Sequence, residues 1–205
     1  MKVNFLFTVA MMYVSSHAFS QESASRFTLN VGASSSYYFM GSASELKSHY
    51  GIGGRIELMV NDKFIFGYSQ HGSISKGGLL KMKVNNEERF SLFEHSTGFG
   101  YKIYLSKNLY MIPKGNIGIG VLKAHQQYKS DWEEIKDEFS QVTESKFFVA
   151  PEIKFGYGVS KYLSIEPHIA YRGYFGSSIF PEISAKDLNG LSIGLSIVGH
   201  IPLSK

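Results

Sequence analysis

Eight stretches of this chain alternate apolar and polar residues. They lie near 26–39, 50–60, 64–74, 90–105, 109–124, 147–159, 162–174 and 190–203. A period of two puts successive side chains on opposite faces of a strand. The last stretch shows it most clearly. Leu191, Ile193, Leu195, Ile197 and Ile201 fall on one face, and Ser192, Gly194, Ser196 and His200 on the other. The seventh sets Leu163, Ile165, Pro167, Ile169 and Tyr171 against Ser164, Glu166, His168, Ala170 and Arg172. The sixth sets Val149, Pro151, Ile153, Phe155 and Tyr157 against Glu152, Lys154, Gly156 and Gly158.

The connections alternate too. Those after the second, fourth and sixth stretches are short: Asn61-Asp62-Lys63, Ser106-Lys107-Asn108 and Ser160-Lys161. Those after the first, third, fifth and seventh are long: about 40–49, 75–89, 125–146 and 175–189. Short turns at one end and long loops at the other mark an up-and-down barrel that crosses a membrane. Each stretch also reaches the roughly 9–11 residues a tilted membrane strand requires. The expected fold is therefore all-β, an eight-stranded antiparallel up-and-down transmembrane β-barrel.

The polar face carries charge. Arg55, Lys102, Lys114, Lys154 and Arg172 share it with Glu57, Glu94, Glu152 and Glu166. Side chains just fill the interior of an eight-stranded barrel. Buried charges must be paired there, so a nearly balanced set is expected to form a lumen charge network. Gly51/Gly53, Gly98/Gly100, Gly118/Gly120 and Gly156/Gly158 keep the same phase and make room for long side chains. No Gly-x-Gly here opens a helix after a strand, so none reads as a nucleotide loop.

The N-terminus reads as an export signal. Met1-Lys2 is followed by the largely apolar run Phe5–Val14, then the small-x-small tripeptide Ala18-Phe19-Ser20 and the polar Gln21-Glu22. The run is shorter than the ~20 residues of a spanning helix. The expectation is a signal peptide over 1–20 and one barrel domain over 21–205. Gly stands at 21, Phe at 16 and Tyr at 13, whereas Cys is absent. Stability must then come from something other than disulfides, and a closed barrel in lipid supplies it by leaving no strand edge unpaired. The net charge of +4 is mild and spread along the chain, which excludes a nucleic-acid binder with clustered cations.

Two stretches resemble the outer-membrane β-barrel family of OmpA-type and OmpX-type small barrels. One is Phe155-Gly156-Tyr157-Gly158-Val159-Ser160-Lys161-Tyr162-Leu163-Ser164-Ile165-Glu166-Pro167, similar to the family's strand–turn–strand. The other is the Gly-rich strand Gly115-Asn116-Ile117-Gly118-Ile119-Gly120. The resemblance implies a cell outer-membrane location, contact with outer-membrane lipid, and a monomer. One departure is the ending Ile201-Pro202-Leu203-Ser204-Lys205, where many such barrels carry a terminal aromatic.

Candidate chemistry is sparse. His49, His71, His95, His125, His168 and His200 lack metal-site spacing, so no metal and no cofactor is expected. His71-Gly72-Ser73 puts a base and a hydroxyl on one strand face, and resembles the His and Ser of barrels that deacylate lipid A. Both are expected to point inward, away from lipid, and no third group orients them. Glu94-His95-Ser96 is weaker, since His95 and Ser96 face opposite sides. In the long loop 125–146, Ser130-Asp131-Trp132-Glu133 fits a capping box, and Trp132, Ile135, Phe139 and Val142 recur at helical spacing. A short helix there and a solvated acidic loop both fit. No catalytic residue is assigned. The expected function is a non-enzymatic barrel whose loops display a surface for adhesion, interaction or envelope integrity. An acyl hydrolase on the same fold and a narrow pore are the alternatives.

Overall fold

The computed structural model describes residues 26–40, 48–75, 78–79, 82–84, 88–125, 141–176 and 185–203. Eight long strands build the barrel. They are β1 (Phe27–Met40), β2 (His49–Val60), β3 (Phe64–Ser75), β4 (Glu88–Tyr101), β5 (Leu109–His125), β6 (Gln141–Ser160), β7 (Leu163–Phe175) and β8 (Gly190–Pro202). Each pairs antiparallel with its neighbours in sequence. The last closes on the first, with Ala33 opposite Ile197 and Ser35 opposite Leu195. Short ladder pieces, Gly78–Leu79 and Met82–Val84, extend β3 and β4 at the long-loop end, and Ile103–Tyr104 prolongs the β4 side of the next turn.

The turns at one end follow from their residues. Asn61 and Asp62 both take positive φ, 52° and 56°, and Lys63 N–H returns to the Val60 carbonyl at 3.1 Å. Positive φ at both central residues gives a turn whose hand matches the twist of its strands, and it favours Asn and Asp. The Ser106 hydroxyl accepts the Leu109 N–H at 3.2 Å, and the Ser160 hydroxyl accepts that of Tyr162 at 3.1 Å. A register shift between Leu163 and Ser164 completes the third tight turn.

The alternation sorts cleanly. Outward positions of β8, from Leu191 to Ile201, are exposed on the barrel wall, whereas Ser192, Ser196 and Val198 are sealed inside. The wall is apolar all round: Ile56, Phe66, Phe99, Ile117, Ile153, Ile169 and Leu195 are each about half exposed. Pro113, Pro151 and Pro167 also point outward in β5, β6 and β7. Proline has no N–H to give a ladder. The β6–β7 pairing accordingly skips the positions around Pro167 and Pro151.

Two differences from the sequence reading concern the fifth connection and the seventh. β6 begins at Gln141, so 141–146 belongs to a strand and not to the loop. Val142 lies opposite Ala124 in the ladder, which removes it from a helical stripe. The strand continues because its inward polar pair satisfies itself: Lys146 Nζ lies 2.7 Å from Glu144 Oε1, both buried. The rest of that stripe and the capping box fall in 126–140, outside the described residues, as does the expected signal peptide. In the seventh connection a 3₁₀ turn, Ala185–Leu188, tucks Leu188 against the barrel. Asn189 then takes the Tyr174 N–H at 2.6 Å.

Candidate functional site

The barrel's distinctive chemistry is inside it. Inward positions of β2, β5, β6 and β7 meet in one cluster toward the short-turn end. Glu57 is its hub. Its Oε1 receives Lys114 Nζ at 2.6 Å and Lys154 Nζ at 3.1 Å, and Arg55 Nε lies 3.6 Å from Oε2. Arg55 also pairs with Glu166, which accepts the Tyr110 hydroxyl at 2.7 Å. Glu152 lies 3.8 Å from Lys154 and takes the Asn116 amide at 3.2 Å. The exposures of Glu57 and Lys154, 2% and 1%, show that side chains fill the lumen at this level. Charges this dry are tolerable only when paired.

A second cluster sits toward the long loops. Arg172 Nε donates to Glu94 at 2.8 Å, and the guanidinium lies over the Tyr38 ring at 4.3 Å. Glu94 also accepts the hydroxyls of Tyr38, at 3.1 Å, and Tyr174. Arg172 donates to Ser192 as well. Between the clusters lies an uncharged layer. His168 bridges Ser36 at 3.0 Å and Ser196 at 3.4 Å, and His71 reaches Ser34 at 2.9 Å.

The inward glycines are where this interior needs space. A Cβ on Gly51 would meet the Tyr38 ring, one on Gly120 the Tyr174 ring, one on Gly156 the Tyr110 ring and one on Gly98 the Asn116 and Lys114 side chains. Gly158 has no such neighbour.

Of the nine charged residues read from the sequence, eight fall into the two clusters. Lys102 joins neither. It stands at the short-turn end with its ammonium 3.8 Å over the Tyr110 ring and 4.9 Å over that of Tyr104. The tyrosines at 38, 110 and 174 were not singled out in the sequence, although their inward phase was available as a signal.

The histidines divide. The Ser73 hydroxyl takes the Leu92 N–H at 3.3 Å, while His71 turns to Ser34, so the two do not form a nucleophile–base pair. His95 faces outward and meets the Tyr68 hydroxyl at 2.6 Å, while Ser96 faces inward and meets Ser69 at 2.7 Å. His49 stacks on Tyr38. The side chain of His125 is outside the described set. An arrangement absent from the sequence reading is Asn30–His200–Ser164, joined by contacts of 2.8 and 2.9 Å. Its residues lie far apart in the chain, so spacing could not reveal it. Ser164 has no exposed surface and therefore no access for a substrate. Among the described residues no three potential ligands group to hold a metal ion.

No family model matches this chain, and no curated protein matches it significantly. Solved structures do. The chain is similar to the N-terminal β-barrel domain of OprF from Pseudomonas aeruginosa, at 11% identity and a TM-score of 0.50, covering 85% of this chain and 97% of that one. It is also similar to Neisserial surface protein A, at 14% identity and a TM-score of 0.53, covering 87% and 99%. These likenesses concern the fold, that of small eight-stranded outer-membrane β-barrels.

Proposed function

Given a closed barrel with the fold of small outer-membrane proteins, we propose that this chain is an integral outer-membrane protein that displays its long loops at the cell surface. Residues 1–20 serve as its signal peptide. The short turns and the end of β8 face the periplasm, and the long loops face outward. The observation that carries this reading is the pairing of an apolar wall with an ion-paired interior. In a soluble barrel the apolar row would be buried and the charges would face water. Here Leu195 and Ile197 are about half exposed while Glu57 and Lys154 are sealed.

The lumen charge network acts as a structural plug. It ties strands far apart in sequence into one cross-section and leaves no wide aqueous path past Glu57, which favours display over conduction. Ser73 is engaged by backbone and Ser164 is sealed, so neither supports the hydrolase alternative.

Three measurements test the proposal: protease access, surface binding and single-channel conductance. Intact cells expressing the full chain should expose the long loops to added protease and should bind target surfaces through them. Replacing 126–140 by a short Gly-Ser turn should reduce that binding or weaken the envelope, while the barrel stays heat-modifiable. Loops shielded from protease on intact cells would contradict the display reading, and a large, stable single-channel conductance would replace it with a pore.

A further inference from the structure

The short-turn end of the barrel holds a cavity of about 740 Å³ open to solvent. Four cationic residues line it, Arg26, Lys102, Lys107 and Lys161, against one acid, Asp62. That acid is already 4.0 Å from Arg26, in an exposed pair. The cavity therefore carries excess positive charge.

Lys102 makes this more than a basic rim. It is 8% exposed, yet no carboxylate lies within ion-pair distance of it among the described residues. The other lumen cations, Arg55, Lys114, Lys154 and Arg172, each have one. Among the described residues the ammonium of Lys102 meets ring faces, those of Tyr110 and Tyr104. An ammonium has three donors, and a ring face engages the charge without accepting them as an anion would. Glu166 and Asp62 attract it only from beyond ion-pair distance, and a nearly buried cation without a direct partner anion is costly. Lys102 itself lines the cavity.

We propose that this cavity is an anion-binding site for a phosphate group, with Lys102 as its floor and Lys107, Lys161 and Arg26 as its rim. Charge-assisted hydrogen bonds from Lys102 hold the phosphate oxygens. The exposed rim cations add long-range attraction that weakens with salt. The phosphate comes either from an anionic lipid headgroup in the adjoining leaflet or from a free periplasmic anion. The site depends on the barrel and its turns, not on what the long loops bind.

The test uses the full chain refolded into nanodiscs of phosphatidylcholine, titrated with inorganic phosphate by calorimetry. A second set of nanodiscs contains phosphatidylglycerol, and native mass spectrometry reads retained lipid. Saturable phosphate binding in the first set is expected, with loss of phosphate binding in the second if the headgroup occupies the site. Undiminished binding in the second set assigns the site to a free anion. Retained phosphatidylglycerol without phosphate binding in the first set assigns it to lipid alone. In every supporting case Lys102→Met weakens binding by roughly tenfold or more, and Lys123→Met at the opposite end leaves it unchanged. Should Lys102→Met fail to form a heat-modifiable barrel, the exposed pair Lys107→Gln and Lys161→Gln, outside the ladders, should still weaken binding several-fold. Absence of both phosphate binding and lipid retention overturns the site, as does binding indifferent to these substitutions.

Discussion

At the scale of single residues, the interior works because the clustered charges are paired and small residues make room for long ones. Glu166 joins Arg55, Tyr110 and Ser164. Glu166→Ala removes the closer carboxylate of Arg55 and leaves it only the 3.6 Å contact with Glu57, and we expect a loss of about 3–5 kcal/mol in unfolding from lipid by urea. Asp62→Asn breaks only the exposed contact with Arg26 and keeps a residue suited to positive φ, so its effect should stay below about 1 kcal/mol. A similar cost for both would deny that the lumen charges are buried. The glycines give a steric counterpart. Gly156→Ala drives a methyl into the Tyr110 ring and should cost about 1–3 kcal/mol in the same titration. Gly115→Ala meets nothing within 4 Å and should be close to neutral. The charged set was legible in the sequence because phase alone puts Arg55, Glu57 and Lys154 on one face. Their pairings were not legible. Arg55 and Glu166 lie 111 residues apart, and which inward positions meet across a barrel depends on strand stagger, which no local pattern encodes.

At the scale of elements, the strands were readable and their extensions were not. All eight appeared in the alternation, with the short turns placed to within a residue, because a strand half in lipid must keep its period or expose charge to hydrocarbon. β6 escaped at its start, since Glu144 and Lys146 read as loop residues until their mutual pairing showed them to be inward strand positions. The strand prolines Pro113, Pro151 and Pro167 ordinarily argue against central strands. The barrel absorbs Pro151 and Pro167 by leaving gaps in the β6–β7 ladder. Depth along β8 then sets the cost of charge. Leu195 lies near the middle of the strand and faces outward, so Leu195→Arg should destabilise by about 2–4 kcal/mol. Ile201, near the rim, should tolerate arginine at about 0–1 kcal/mol. Folding yields in lipid vesicles check both, and equal costs would mean that β8 does not cross a bilayer.

At the scale of the whole molecule, apolar wall and ionic core are one device. Closure of β8 on β1 satisfies the backbone without water, which lets the outside be hydrocarbon and the inside be salt bridges. The mouth cavity with Lys102 lies outside that balance, and the sequence could not separate it from the other inward cations, because only the three-dimensional register shows which of them lack a carboxylate. What the loops bind was not legible either, since loop residues follow no period that reports a partner.

The chain has no cysteine, so single cysteines can be introduced along β8 without background. Nitroxide labels at 191, 193, 195, 197 and 201 in lipid bilayers, compared with labels at 192, 196 and 200, test the central claim most directly. A period of two is expected, with the odd positions open to dissolved oxygen and shielded from a water-soluble relaxant, and the even positions immobile and shielded from oxygen. Odd positions open to the water-soluble relaxant, or an absence of alternation, would contradict an apolar wall in lipid around a filled, charged interior.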